Sequence, residues 1–188
     1  MKILKFFSTA VLATAVLFSS CNKDDDNNPN PSTSAFFSAK VDNQSFPKAE
    51  LQRTTAKFVS STKMLQIIGQ PEDQKETIVL NLMPFGGTVS TASDWKPGTY
   101  DFDPIHVTNL EYLASAEYNK WNGNSYDGWL TNWEYVKTGK IIIESNSGSH
   151  IKGTFSFDAA FKNNDGTFNS SSIKKITEGK FDLDIKTY

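Results

Sequence analysis

The chain has 188 residues, 38% hydrophobic and 13% aromatic, with 19 basic and 21 acidic side chains and a formal net charge of −2. That size supports one domain with a real core rather than two, and with Arg53 as its lone arginine it lacks the basic clustering and guanidinium forks that nucleic acid requires. Cys21 is the only cysteine, so no intramolecular disulfide is available and the fold must rest on apolar burial.

The first element expected in chain order is a leader. Lys2 and Lys5 flank the start of an apolar run over residues 6–18, which has the length of a secretion-signal core and falls short of the ~20 residues that cross a bilayer. Leu17-Phe18-Ser19-Ser20-Cys21 resembles the lipobox of bacterial lipoproteins, with Phe18 where a bulky aliphatic is usual. The resemblance implies that residues 1–20 are a lipoprotein signal peptide and that Cys21 becomes lipidated, tying the chain to a membrane. Lys23, Asp24, Asp25 and Asp26 follow; they resemble the export signal that carries Bacteroidota lipoproteins to the exterior face of the outer membrane. Adjacent carboxylates stay in water, and several acyl chains, at about 0.8 kcal/mol per buried CH₂, hold a protein stably where one does not. Residues 27–34 are only Asn, Pro, Ser and Thr and bury too little to offset their ordering entropy. Residues 21–34 are therefore expected to be a tether, and residues 35–188 the folded domain.

Within that domain the apolar period is two. Phe37, Ala39 and Val41 alternate with polar residues ahead of Asp42-Asn43-Gln44, where Asn43 tolerates the left-handed conformation. Residues 57–60, 64–69 and 77–83 read as short strands with turns at 61–63 and 71–75, while residues 47–56 have no clear period. Pro97-Gly98-Thr99-Tyr100 turns into a strand with Phe102 on the face of Tyr100, and Tyr112, Ala114, Ala116 and Tyr118 suit a core strand. Residues 140–144 and the alternating Ile151, Gly153, Phe155, Phe157, Ala159 and Phe161, joined by the turn-forming residues 145–149, predict a hairpin. Asn163-Asn164-Asp165-Gly166 and the serines after it connect to a last strand over 180–186. Gly179 is expected to mark a bulge, because Ile176 is out of phase with Phe181, Leu183 and Ile185. The expectation is an all-β fold, a single antiparallel β-sandwich or open barrel of about eight to ten strands.

Several fragments in this order, Phe37-Ser38-Ala39-Lys40-Val41-Asp42, Pro97-Gly98-Thr99-Tyr100, Ile151-Lys152-Gly153-Thr154-Phe155 and Ile176-Thr177-Glu178-Gly179-Lys180-Phe181, resemble a family of small Bacteroidota outer-membrane lipoproteins, a domain of unknown function. The resemblance covers most of the chain after the tether and implies a lipocalin-like or sandwich-like all-β build. It brings no catalytic residues.

Catalytic chemistry finds little purchase in these residues. The two histidines, His106 and His150, follow turn residues and lack a triad pattern. With Cys21 acylated there is no His/Cys cluster for a metal. Asn122-Gly123-Asn124-Ser125-Tyr126-Asp127-Gly128 and Asn163-Asn164-Asp165-Gly166 read as turns rather than calcium loops. No cofactor motif is present. The segment that stands out is aromatic: Tyr112, Tyr118, Trp121, Tyr126, Trp129, Trp133 and Tyr135 are interleaved with Asn, Gly, Ser and Asp. Residues 121–129 read as a loop, and Trp121, Tyr126, Trp129 and Trp133 are the candidate ligand-binding residues, since exposed rings fringed by amides hold sugars by stacking and hydrogen bonding. The expected function is a surface-exposed, non-catalytic binding module for a glycan or a surface protein. A lipocalin-like carrier of a small apolar ligand and a cell-surface hydrolase using paired carboxylates are the alternatives.

Overall fold

The computed structural model describes residues 36–46, 53–85, 87, 89–102, 111–132, 134, 136 and 139–188. The expected signal peptide (residues 1–20), Cys21, Lys23, Asp24, Asp25, Asp26, the expected tether, His106, Trp133 and Tyr135 lie outside the described residues. The strands are β1 (Phe36–Val41), β2 (Gln44–Ser45), β3 (Thr55–Val59), β4 (Met64–Gly69), β5 (Glu76–Pro84), β6 (Gly98–Asp101), β7 (Tyr112–Trp121), β8 (Tyr126–Leu130), β9 (Lys140–Asn146), β10 (His150–Lys162) and β11 (Phe168–Thr187), with one 3-10 turn at Ala92–Asp94. They form an 11-stranded sheet in the order β2-β1-β11-β3-β4-β5-β7-β8-β10-β9-β6. The expected all-β class is therefore what forms, with more strands than the apolar alternation alone reveals.

The long β10–β11 hairpin organises the sheet. One edge of β11 pairs with β10, while its other edge pairs first with β1 and then, in parallel, with β3. β10 likewise pairs with β9 over its first half and with β8 at its end. Because β10 and β11 also pair with each other, β11, β3, β4, β5, β7, β8 and β10 close into a ring. Closure removes sheet edges that would otherwise present unpaired backbone groups. Among the described residues, the parallel β3–β11 contact is the one departure from antiparallel pairing.

The interior of the ring is packed with large side chains. Phe155, Phe157, Phe181, Tyr118, Ile141, Ile151, Leu65, Leu80 and Leu82 are all buried; Phe155 lies against Phe37 at 5.3 Å and near Phe181 at 6.4 Å. At about 1.5–3 kcal/mol for each fully buried large apolar side chain, this core replaces the missing disulfide as the main source of stability. No buried side-chain nitrogen or oxygen among the described residues lacks a hydrogen-bond partner, as burial of polar groups requires.

Local chemistry explains most of the strand ends. Asp42 and Asn43 both have positive φ, 49° and 66°, which makes the two-residue turn whose twist suits a hairpin and creates the short β2. The expected bulge is present: between Phe155 and Phe157 of β10, the partner residues on β11 run from Gly179 to Ile176, so β11 carries an extra residue there. Glu178 takes the left-handed conformation (φ 52°). Gly179 is required by close approach, because a Cβ at this position would stand 2.5 Å from the Phe155 ring. The last strand begins at Phe168 rather than near residue 180. Asn169, Ser170 and Ser171 are exposed, so this part of the ladder carries no apolar alternation to read.

Candidate functional site

The aromatic segment is a hairpin, not the long loop expected from its Gly and Asn content. Trp121 ends β7 and Tyr126 begins β8, leaving a turn of residues 122–125. Asn122 builds that turn: its Oδ1 accepts from the Asn124 and Ser125 backbone N–H groups at 3.0 Å each, and its Nδ2 donates to Asp127 Oδ1 at 2.9 Å. Gly123 supplies the left-handed residue (φ 104°). The oxygen-rich side chains are thus spent within the turn.

Register then sorts the rings. Trp121 faces Tyr126 across the hairpin and Tyr118 faces Trp129. Since side chains alternate along a strand, the two pairs project from opposite faces. Trp121 and Tyr126 are 38% and 51% exposed, with ring centroids 5.1 Å apart and planes at 62°. They are nevertheless held: Tyr126 Oη donates to the Gln74 carbonyl at 2.7 Å, and the backbone N–H of Trp121 donates to the Lys75 carbonyl at 2.7 Å. Trp129 is only 8% exposed. It sits between Tyr118 (5.6 Å) and Phe161 (5.2 Å), donates from Nε1 to Ser172 Oγ at 3.3 Å, and has the Lys174 ammonium 5.5 Å from its ring. Of the four candidate aromatics the structure therefore brings two together at the surface and turns Trp129 into the core; Trp133 lies outside the described residues. Tyr118 joins Trp129 there, and burial together with the Glu76 carboxylate pushes its phenol up.

His150 is not a simple solvated strand end. Its Nε2 lies 2.6 Å from Asp182 Oδ1 and its Nδ1 2.8 Å from Asp184 Oδ1. A neutral imidazole donates from one nitrogen only, so two carboxylate partners favour the imidazolium. The hydrogen bond to Asp184, opposed by partial burial and reinforced by Asp182, raises its pKa. With both nitrogens engaged, His150 has no free position from which to activate a nucleophile. The two carboxylates also lie at different ring nitrogens and do not converge on one point, and no group of three or more metal-ligating side chains occurs among the described residues.

A depression of about 420 Å³ lies on the outer face beside the β11 bulge, lined by residues that include Ser38, Lys140, Thr154, Ser156, Glu178 and Lys180. Only the Gly179 bulge marked this region in the sequence. Its residues come from β1, β9, β10 and β11, whose pairing is set by contacts distant along the chain.

A family model described as a domain of unknown function (DUF6252) matches residues 33–182. The chain belongs to this family. The match spans the β domain, from just before β1 into β11. No curated protein and no solved structure matches the chain. Membership in DUF6252 assigns no activity, and the site residues rest on their own geometry.

Proposed function

We propose that this protein is a lipid-anchored outer-membrane lipoprotein of the Bacteroidota kind, facing the cell exterior, whose β domain binds glycan without catalysis. Lipid on Cys21, the acidic stretch Lys23 to Asp26 and the polar tether residues that follow support display at a surface. The observation that carries the binding reading is the Trp121–Tyr126 pair. Two large rings are exposed, yet strand pairing, the Tyr126–Gln74 hydrogen bond and the Asn122 turn fix them. Exposed aromatics held in place before binding lose little entropy when a sugar stacks on them. The second carboxylate oxygen of Asp127, which Asn122 does not engage, stands at the same corner to accept from a sugar hydroxyl.

The carrier alternative is disfavoured by an interior occupied by the buried side chains of Phe155, Phe157, Phe181, Tyr118 and Trp129. The hydrolase alternative is disfavoured at Asp182 and Asp184, two carboxylates on one face of β11, because both are committed to His150. Retention of the protein on a panel of immobilised neutral oligosaccharides tests the proposal. At least one glycan should retain the wild type and release the Trp121→Ala and Tyr126→Ala variants; equal retention of both variants overturns it.

A further inference from the structure

The depression beside the β11 bulge has a composition that the aromatic corner does not explain. Lys180 lies opposite Ser38 on one side and Thr154 on the other, and Thr154 lies opposite Ile142. Ser156 and Lys140 form the adjacent row. The inward row beside them is Phe37, Phe181, Gly153 and Ile143, so these polar residues all face outward. A bulge bends its strand and increases local twist. Here it coincides with short side chains, Ser38, Thr154, Ser156 and Gly179, between long ones, Lys140, Lys180 and Glu178. Short residues form the floor and long ones the rim, which makes the surface concave.

The electrostatics of this concavity are one-sided. Its only lining carboxylate, Glu178, is paired with Lys40 at 2.7 Å. Lys140 and Lys180 have no ion pair among the described residues; Asp101 stands across from Lys140 on β6 but forms none with it. Neither Ser38, Thr154 nor Ser156 has a side-chain hydrogen bond among the described residues, although hydroxyls readily take both donor and acceptor roles. Two ammonium groups, three uncommitted hydroxyls and the apolar Ile142 share a volume within the ~300–1,000 Å³ usual for small-ligand clefts. A bare inorganic anion would use the ammonium groups and leave the hydroxyls and Ile142 idle.

We infer that this groove binds an acidic sugar, with its carboxylate between Lys140 and Lys180, its hydroxyls on Ser38, Thr154 and Ser156, and a C–H face on Ile142. The site is separate from the Trp121–Tyr126 corner, which lies at the β7–β8 hairpin, and stands whether or not that corner binds neutral glycan.

Isothermal titration of the purified full-length protein in non-ionic detergent with trigalacturonate tests it, with galactotriose and inorganic sulfate as comparison probes. The expected result is saturable trigalacturonate binding that weakens with added salt, and that falls about tenfold or more in Lys140→Gln and in Lys180→Gln, the loss of one charged hydrogen bond. Lys152→Gln, an outward lysine of β10 that does not line the groove, should bind like the wild type. Galactotriose should bind at least about tenfold more weakly. Absence of saturable trigalacturonate binding, an equal loss in Lys152→Gln, or full displacement by sulfate at comparable concentration would overturn the inference.

Discussion

His150 is the residue whose surroundings say most about pH. Its two ring nitrogens are both committed to carboxylates of β11, Asp182 and Asp184, and its side chain is about one-third exposed. The folded-state pKa lies above the ordinary 6.5. The unfolded chain therefore loses the proton first as pH rises, and the stabilisation is fully present below about 6.5 and disappears as pH passes through the higher folded value. Urea unfolding between pH 5 and 9 should show the wild type losing stability across that window while His150→Gln does not; parallel profiles would show that the clamp contributes nothing. The tryptophans make a second contrast at this scale. Trp129 packs between Tyr118 and Phe161, so Trp129→Ala should cost about 3–5 kcal/mol. Trp121→Ala, at an exposed site, should cost under about 1 kcal/mol. Comparable losses for both would contradict the assignment of one ring to the core and the other to the surface.

Among the elements, β11 carries the strongest local constraint. Gly179 meets the Phe155 ring where any Cβ would stand 2.5 Å away, so Gly179→Ala should destabilise by about 1–3 kcal/mol through overpacking. Glu178, one residue earlier, is a non-glycine at φ 52°. Glu178→Gly relieves a left-handed strain of about 1–2 kcal/mol, and the exposed pair it removes with Lys40 is worth about 0–1 kcal/mol. This second variant should match or exceed the wild type in urea midpoint, and a clear loss would mean that the bulge is held by that ion pair. The bulge was readable because Ile176 breaks the apolar phase of Phe181 and Leu183. The early part of β11 was not, because Asn169, Ser170 and Ser171 are exposed and leave no alternation. β8 was hidden for a different reason: Asn122, Gly123, Asn124 and Gly128 weigh the segment toward loop, whereas the turn itself uses only residues 122–125. Spacing alone therefore could not place Trp129 opposite Tyr118.

At the scale of the whole molecule, the ring depends on contacts that no local pattern encodes. The parallel pairing of Ile185, Lys186 and Thr187 with Ala56, Lys57 and Phe58 joins the two ends of the domain, and β1 reaches across to Phe181 and Asp182. The all-β class was legible from period-two alternation, while ring closure and the groove beside the bulge follow from these distant pairings. The proposed anchor belongs to this scale as well. Replacing Cys21 by Ser should move the protein from the membrane to the soluble fraction, since the acyl chains supply the attachment. Unchanged fractionation would contradict lipid anchoring.

The most direct test of glycan binding is acrylamide quenching of tryptophan emission, with and without neutral oligosaccharides, in Trp133→Phe protein with and without the further Trp121→Phe change. Trp95 and Trp129 are buried and should stay protected throughout. An accessible component should appear that a glycan shields and that the Trp121→Phe variant lacks. Quenching that no sugar alters, or shielding that persists in Trp121→Phe, would contradict glycan binding at Trp121.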